Sequence, residues 1–332
     1  MTVALSILDL APIAPGQTAR ESFAASVALA QTAEKHGYTR VWYAEHHNMP
    51  TIASSATSIL VGHVAAQTST IRLGAGGVML PNHSPLTIAE QFGTLAELYP
   101  GRIDLGLGRA PGSDQTTARA MRRDPRASDQ FPQDVLELQA YLRGESIIPG
   151  VQAVPGAGTN VPLYILGSSL FGAGLAAAFG LPYAFASHFA PDALHEAVAT
   201  YRRDFQPSQQ LDKPYVIVGA NVIAADDAAD AALQFDTTRR ARVRGMISRG
   251  PAAPDYSDDQ IDAFLTTPEG RNIANMMRVS AVGTPSEVRA FLSDLAASTQ
   301  ADELIVAHQS RDIAARLRSV ELTADAMSGV MV

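Results

Sequence analysis

Short apolar runs alternate with amphipathic stretches along nearly the whole chain. The first run, residues 4–10, is too short and too continuously apolar for a surface helix, and reads as a buried strand. Pro12, Pro15 and Gly16 then break the chain. Thr18, with Glu21 three residues on, forms the signature of a helix start in which each residue caps the other. Phe23, Val27, Ala30 and Ala33 keep helical spacing, and Gly37 stands where a helix should end. The same unit recurs. Further strands are predicted at 40–43, 71–79, 103–107, 163–166, 183–186, 215–223 and 303–307. Helices are predicted at 54–67, 88–98, 133–142, 172–180, 194–205, 226–235, 286–297 and 311–317. Eight strands, each followed by a helix, predict an α/β fold closed as a (β/α)8 TIM barrel.

Such a barrel needs about 250 residues, so a chain of 332 carries a surplus. Two insertions hold it, 110–162 after the fourth strand and 237–285 after the seventh, within one barrel domain spanning 1–332. The second insertion runs from a basic cluster, Arg239 to Arg249, through Gly250, Pro251 and Pro254 to an acidic run from Asp255 to Asp262. Opposite charges in that order predict a solvated helical hairpin. Its length, and its place among loops that face a barrel's active site, predict a mobile lid over 237–278.

Composition narrows the function classes. Hydrophobic residues make up 46% and charged residues 17%, which suits a large core. The net charge of −8 without a basic stripe argues against nucleic acid as a partner. The absence of cysteine removes disulfides, thiolate metal sites and cysteine nucleophiles together. No apolar run approaches the ~18 residues of a membrane span, and no basic leader opens the chain, so a cytoplasmic protein without a membrane partner is expected.

Candidate chemistry sits just past the strand ends. The second strand leads into Glu45-His46-His47-Asn48, where a histidine can move protons near neutral pH. A hydrogen-bonded structural pair is the alternative. Adjacent histidines project to opposite faces and are poorly placed to share one metal ion. The third strand carries Gly74, Ala75, Gly76 and Gly77, which fits either close approach of a flat ring system or a β-bulge. The fourth ends in Gly108-Arg109, where a guanidinium suits a phosphate or carboxylate, or pairs with a loop carboxylate. The fifth ends in Gly167-Ser168-Ser169 ahead of a helix, which is either an anion site of backbone N–H groups and hydroxyls or ordinary capping by Ser169. Phe131, Tyr164 and Phe189 are candidates to shape a substrate pocket.

Three stretches together resemble the bacterial luciferase-like monooxygenases: Tyr43-Ala44-Glu45-His46-His47, then Gly74 through Pro85, then Pro100 through Arg109. Gly167-Ser168-Ser169 and Val282-Gly283-Thr284-Pro285 extend the likeness over nearly the whole chain. The resemblance implies a barrel that binds reduced flavin mononucleotide (FMN) and reacts it with O2 through a flavin C4a-peroxide on a small organic substrate. It implies His46 as the catalytic residue. It also implies a cis peptide at Gly76-Gly77 against the flavin ring, flanked by Ala75 and Gly108, and flavin-phosphate contacts from Arg109, Gly167, Ser168 and Ser169. Gly108 stands where light-emitting members carry a cysteine, so light emission itself is not implied. No dinucleotide fingerprint is evident, which points to a separate NAD(P)H-flavin reductase; a homodimer is the family-like assembly. The rival readings are a deazaflavin-dependent hydride-transfer enzyme, a non-catalytic flavin-binding protein and a metal-dependent barrel hydrolase.

Overall fold

The computed structural model describes residues 3–110, 114–124, 126–248, 254 and 256–329. β1 (Ala4–Asp9) leads into α1 (Ala19–Lys35), whose start is the reciprocal Thr18–Glu21 cap. Beyond the helix Gly37 takes φ +76°, and the Gly37 and Tyr38 N–H groups bond back to the Glu34 and Ala33 carbonyls. That turn satisfies the helix's last acceptors and drops the chain into β2 (Arg40–Tyr43). The unit repeats through α2 (Thr57–Ala65), β3 (Arg72–Met79), α3 (Pro85–Leu98) and β4 (Ile103–Gly108). The first insertion follows, with α4 (Gln115–Ala120) and α5 (Phe131–Arg143). Then come β5 (Leu163–Gly167), α6 (Leu170–Phe179), β6 (Tyr183–Phe185), α7 (Leu194–Asp204) and β7 (Val216–Ala224). The second insertion is α8 (Ala228–Ile247), α9 (Asp258–Leu265) and α10 (Pro268–Asn275). β8 (Ser280–Gly283), α11 (Pro285–Thr299), β9 (Glu303–His308) and α12 (Ile313–Met327) complete the described chain.

All strand pairings in the sheet are parallel. β1 to β7 follow in order, and β9 lies between β7 and β1, closing an eight-stranded (β/α)8 barrel. β8 is a ninth strand that the apolar pattern does not predict. β6 pairs only with Val216–Val218 of β7, which leaves the upper half of β7 without a neighbour on that side. β8 fills the gap, pairing Ser280–Gly283 with Asn221–Ala224. With two small residues and a serine among its four, it carries little periodic signal.

Two further helices run longer than predicted. α12 extends to Met327, and α8 continues past Phe235 to Ile247 because its polar residues have protein partners instead of solvent. Arg240 meets Asp262 at 2.6 Å and Arg244 meets Asp258 at 2.7 Å, so α8 and α9 form the hairpin expected from the charge pattern. Arg249 to Ala253 and Asp255, which include Gly250 and Pro251, lie outside the described residues. Among the described residues, no helix is long and apolar enough to cross a membrane.

Strand alternation splits the core in two. Ile7, Val41, Tyr43, Leu73, Leu105 and Val306 face the helices in one continuous cluster. Leu8, Trp42, Ala44, Ile217, Ile305 and Ala307 fill the barrel interior. At the amino ends of the strands that interior is closed by charge. Arg40 pairs with Asp104 at 2.7 Å and Glu303 at 3.0 Å and donates to the Tyr164 hydroxyl at 2.6 Å. Arg72 also bonds Asp104, and Tyr215 donates to Glu303 at 2.8 Å. The Trp42 indole N–H reaches Asp104 at 3.2 Å. Burying two carboxylates is tolerable only because each has cationic and hydroxyl partners.

Removing one member of such a plug strands the others. Asp104→Ala is expected to lower unfolding free energy by about 3–5 kcal/mol, measured by urea denaturation. Trp42 is the sole tryptophan, so its fluorescence reads the same site directly. A loss below about 1 kcal/mol, the worth of an exposed pair, would show that the plug is not integral.

Candidate active site

The opposite, open end of the barrel is set by β2. Arg40, Trp42 and Ala44 point inward, and the next inward position is His46. His46 is half-buried, and among the described residues its Nδ1 has no partner within hydrogen-bond geometry. Burial pulls its pKa below the ordinary histidine value, with the His47 charge adding and the Ala44 carbonyl and Glu45 opposing. The ring is therefore neutral near pH 7 and free to take a proton.

Glu45 and His47 turn to the other side. His47 Nε2 lies 2.9 Å from Glu45 Oε1, so His47 is the hydrogen-bonded structural partner and His46 is not. Glu45 also meets His83 Nε2 at 3.0 Å, and accepts from the Asn82 amide at 3.0 Å and the Met79 N–H at 2.9 Å. Burial would raise its pKa, but these bonds, with His83 foremost, hold it below the usual carboxylate value. The Glu45 N–H in turn donates to the Gly77 carbonyl at 3.2 Å. The carboxyl end of β3 is thus tied to the residue beside His46.

The structure shows the bulge among the β3 glycines. The register against β4 shifts between Ala75 and Val78, which is the bulge, and the Gly76–Gly77 bond is cis. The close approach is by the protein itself. A Cβ at Gly74 would sit 2.5 Å from the Asp104 carbonyl oxygen, and one at Gly77 would sit 2.7 Å from that of Gly106. At Gly76 it would meet the Trp42 Cβ at 2.8 Å. The Ala75 side chain is buried among the barrel–helix residues, so only its backbone could meet a ligand.

Arg109 and the Ser168–Ser169 segment, far apart in the chain, are brought to neighbouring strand ends. The exposed Arg109 guanidinium stacks 4.0 Å over the Phe171 ring in the first turn of α6. Among the described residues no carboxylate pairs with it. Ser169 occupies the cap position of α6 but makes no side-chain cap bond, which leaves the first N–H groups of that helix open. Gly167 ends β5 just before them. Arg123 stands nearby, donating at 2.5 Å to Ser128 Oγ, which itself bonds the Arg109 carbonyl. Gly108 ends β4, and a Cβ there would meet the Met79 sulfur at 2.9 Å. A guanidinium without a counter-ion beside open helix N–H groups fits the phosphate of a flavin nucleotide.

The three aromatic pocket candidates separate. Phe131 is buried in the barrel–helix core, and Tyr164 belongs to the charged plug at the far end. Neither can line the open end, because strand and helix direction, not residue type, sets where they point. Phe189 is 38% exposed and packs edge-on against His188 at 5.0 Å.

His188 itself went unnoticed in the sequence, although it follows a barrel strand as His46 does. Its Nδ1 lacks a partner, and burial drives its pKa down to about 3, with the charges of Arg242 and His46 adding. A Cβ at Gly219 would reach within 2.6 Å of that nitrogen, so the glycine makes room for the ring. Asn221 bonds the His188 carbonyl at 2.7 Å and Gln309 Nε2 at 2.9 Å.

Comparison with known proteins gives the family and the fold. Residues 3–303 match the model of the family described as luciferase-like monooxygenase. A protein of Escherichia coli named luciferase-like monooxygenase is 52% identical, over 98% of this chain and 97% of its own length. The crystal structure of apo-MsnO8 superposes with a TM-score of 0.87 at 37% identity, covering 98% of each chain. The oxygenating constituent of 3,6-diketocamphane monooxygenase from Pseudomonas putida, solved in complex with FMN, shares the fold. Its TM-score is 0.73 at 17% identity, over 98% of this chain and 97% of its own.

Histidines held neutral by burial make stability depend on pH. His46 and His188 have folded pKa values below the unfolded value of about 6.5. The unfolded chain therefore binds more protons below that pH, and stability falls as the pH drops from about 6.5 toward 3. Each group contributes at most about 1.4 kcal/mol per pH unit. Urea midpoints between pH 7 and 5 should decline less steeply for His188→Asn than for the wild type. Parallel curves would show that His188 is protonated freely in the folded state.

Proposed function

The chain belongs to the luciferase-like monooxygenase family, and on that premise we propose that it is an FMN-dependent monooxygenase of the two-component kind. In this proposal a separate NAD(P)H-dependent reductase provides reduced FMN, and one atom of O2 passes to a small organic substrate. The observation that carries it is Arg109, which has no carboxylate partner among the described residues and stacks at the start of α6, where no side-chain cap bond is made. Arg109 and the Ser168–Ser169 segment would hold the flavin phosphate, with Arg123 adding positive charge. The backbone of Ala75, Gly76 and Gly77 and the small Gly108 and Gly167 would border the ring system and its chain. Reduced FMN, when bound, supplies the electrons with which O2 reacts.

The protein's own part is positioning and proton handling. His46 projects into the open end in its neutral form and can accept or return a proton there. The Glu45 bonds hold the strand so that His46 alone of the pair faces inward.

Three substitutions test the proposal. Arg109→Ala should weaken binding of reduced FMN by about 1.5–3 kcal/mol, the worth of a charge-assisted hydrogen bond, in an anaerobic titration. Unchanged affinity would remove Arg109 from the phosphate site. His46→Ala should keep FMN affinity while changing the rate at which bound reduced flavin reacts with O2 by about 100-fold, followed by stopped-flow absorbance. His47→Ala should have the smaller effect on that rate; the reverse order would exchange the two histidines' roles.

A further inference from the structure

The arginine cluster of α8 is not uniform. Arg239, Arg240 and Arg244 each pair with a carboxylate, Asp236, Asp262 and Asp258 respectively. Arg242 lies between them in sequence but on a different helix face, together with Thr238 and Ala241. That face is turned to the barrel: the Thr238 hydroxyl bonds the Gln309 carbonyl at 3.1 Å. Among the described residues, Arg242 makes no ion pair or hydrogen bond.

Arg242 lines a cavity of about 220 Å3 between α8, the segment after β1 and the segment after β9. Arg311 and Arg316 line it too. Arg316 is buried, donates to the Ser310 carbonyl at 3.0 Å, and has Asp9 and Asp312 as nearby negative charges. Arg311, like Arg242, pairs with no carboxylate among the described residues. His308, on the cavity wall, is held neutral by burial and cannot offset or add charge near pH 7. The other side of the cavity is apolar, from Leu10, Ile13 and Ile52.

Among the described residues two guanidinium groups line one cavity without a counter-ion, and Arg242 is largely removed from water. A bound anion would offset the cost of burying that charge. The cavity adjoins His188 at the open end: Gln309 on its wall donates to Asn221 at 2.9 Å, and Asn221 donates to the His188 carbonyl at 2.7 Å. It is built from β1, β9 and α8, whereas Arg109 and Ser169 stand at β4 and α6, so the two basic sites use different elements.

We infer that this cavity is the anion-recognising end of the substrate site, where Arg242 and Arg311 hold a substrate carboxylate while Leu10, Ile13 and Ile52 receive its hydrocarbon part. The inference rests on the monooxygenase reading of the same open end, but its test does not require turnover. Hexanoate and 1-hexanol serve as probes, their binding measured by calorimetry on the full chain. Hexanoate should bind at least tenfold more tightly than 1-hexanol. Arg242→Met and Arg311→Met should each reduce hexanoate affinity about tenfold or more, with FMN affinity unchanged and urea midpoints at or above that of the wild type. Equal binding of the two probes, or hexanoate binding indifferent to both substitutions, would overturn the inference while leaving the flavin proposal standing. FMN affinity lost in Arg242→Met but kept in Arg109→Ala would overturn both, and would make the cavity the cofactor phosphate site.

Discussion

One buried carboxylate holds the open end of this barrel in register. Glu45 gathers the His47 and His83 rings, the Asn82 amide and the Met79 N–H, while its own N–H bonds Gly77. A carboxylate removed from water must have its lone pairs satisfied, so the geometry of those groups is set by the cost of leaving any of them out. Three consequences follow for the chemistry. The end of β3 cannot drift from the end of β2, His47 is committed to the outer side, and His46 is left facing inward.

The two ends of the barrel treat polar groups in opposite ways. At the amino ends, Arg40, Asp104, Glu303, Tyr164 and Tyr215 form one paired network. At the carboxyl ends, His46 Nδ1 and His188 Nδ1 have no partner, and Arg109, Arg242 and Arg311 have no carboxylate among the described residues. Incomplete satisfaction costs stability, and folded proteins concentrate that cost where a ligand relieves it. The plug makes the barrel rigid from below, and the mouth carries the unspent hydrogen-bonding capacity.

The loops share this work unequally. The first insertion supplies Arg123 and Ser128 behind Arg109. The second supplies α8, which turns Arg240 and Arg244 toward α9 and Arg242 toward the barrel. A helix with this division is held from outside by ion pairs and from inside by Thr238. Basic residues that look like one solvated cluster along the chain are thus separated by the 3.6-residue period into two faces with different tasks.

Eight barrel strands and the helices between them were legible because strand and helix periods are local, and Thr18, Glu21 and Gly37 mark their ends by local hydrogen bonding. The inward place of His46 was legible for the same reason: alternation along one strand suffices. Local sequence did not determine β8, which exists because β6 is too short to cover β7. Nor did it determine the glycine requirement at 74, 76 and 77, which β4 and Trp42 impose from across the barrel. Phe131 and Tyr164 could not be assigned to pocket, core or plug from residue type. Arg242 came near enough to His188 to act on its charge only when α8 packed against β7 and β8. Sequence by itself determined the eight barrel strands, the fold and the residue types at strand ends. Tertiary structure alone decided which of those residues lack partners, because a vacant hydrogen bond depends on groups far apart in the chain.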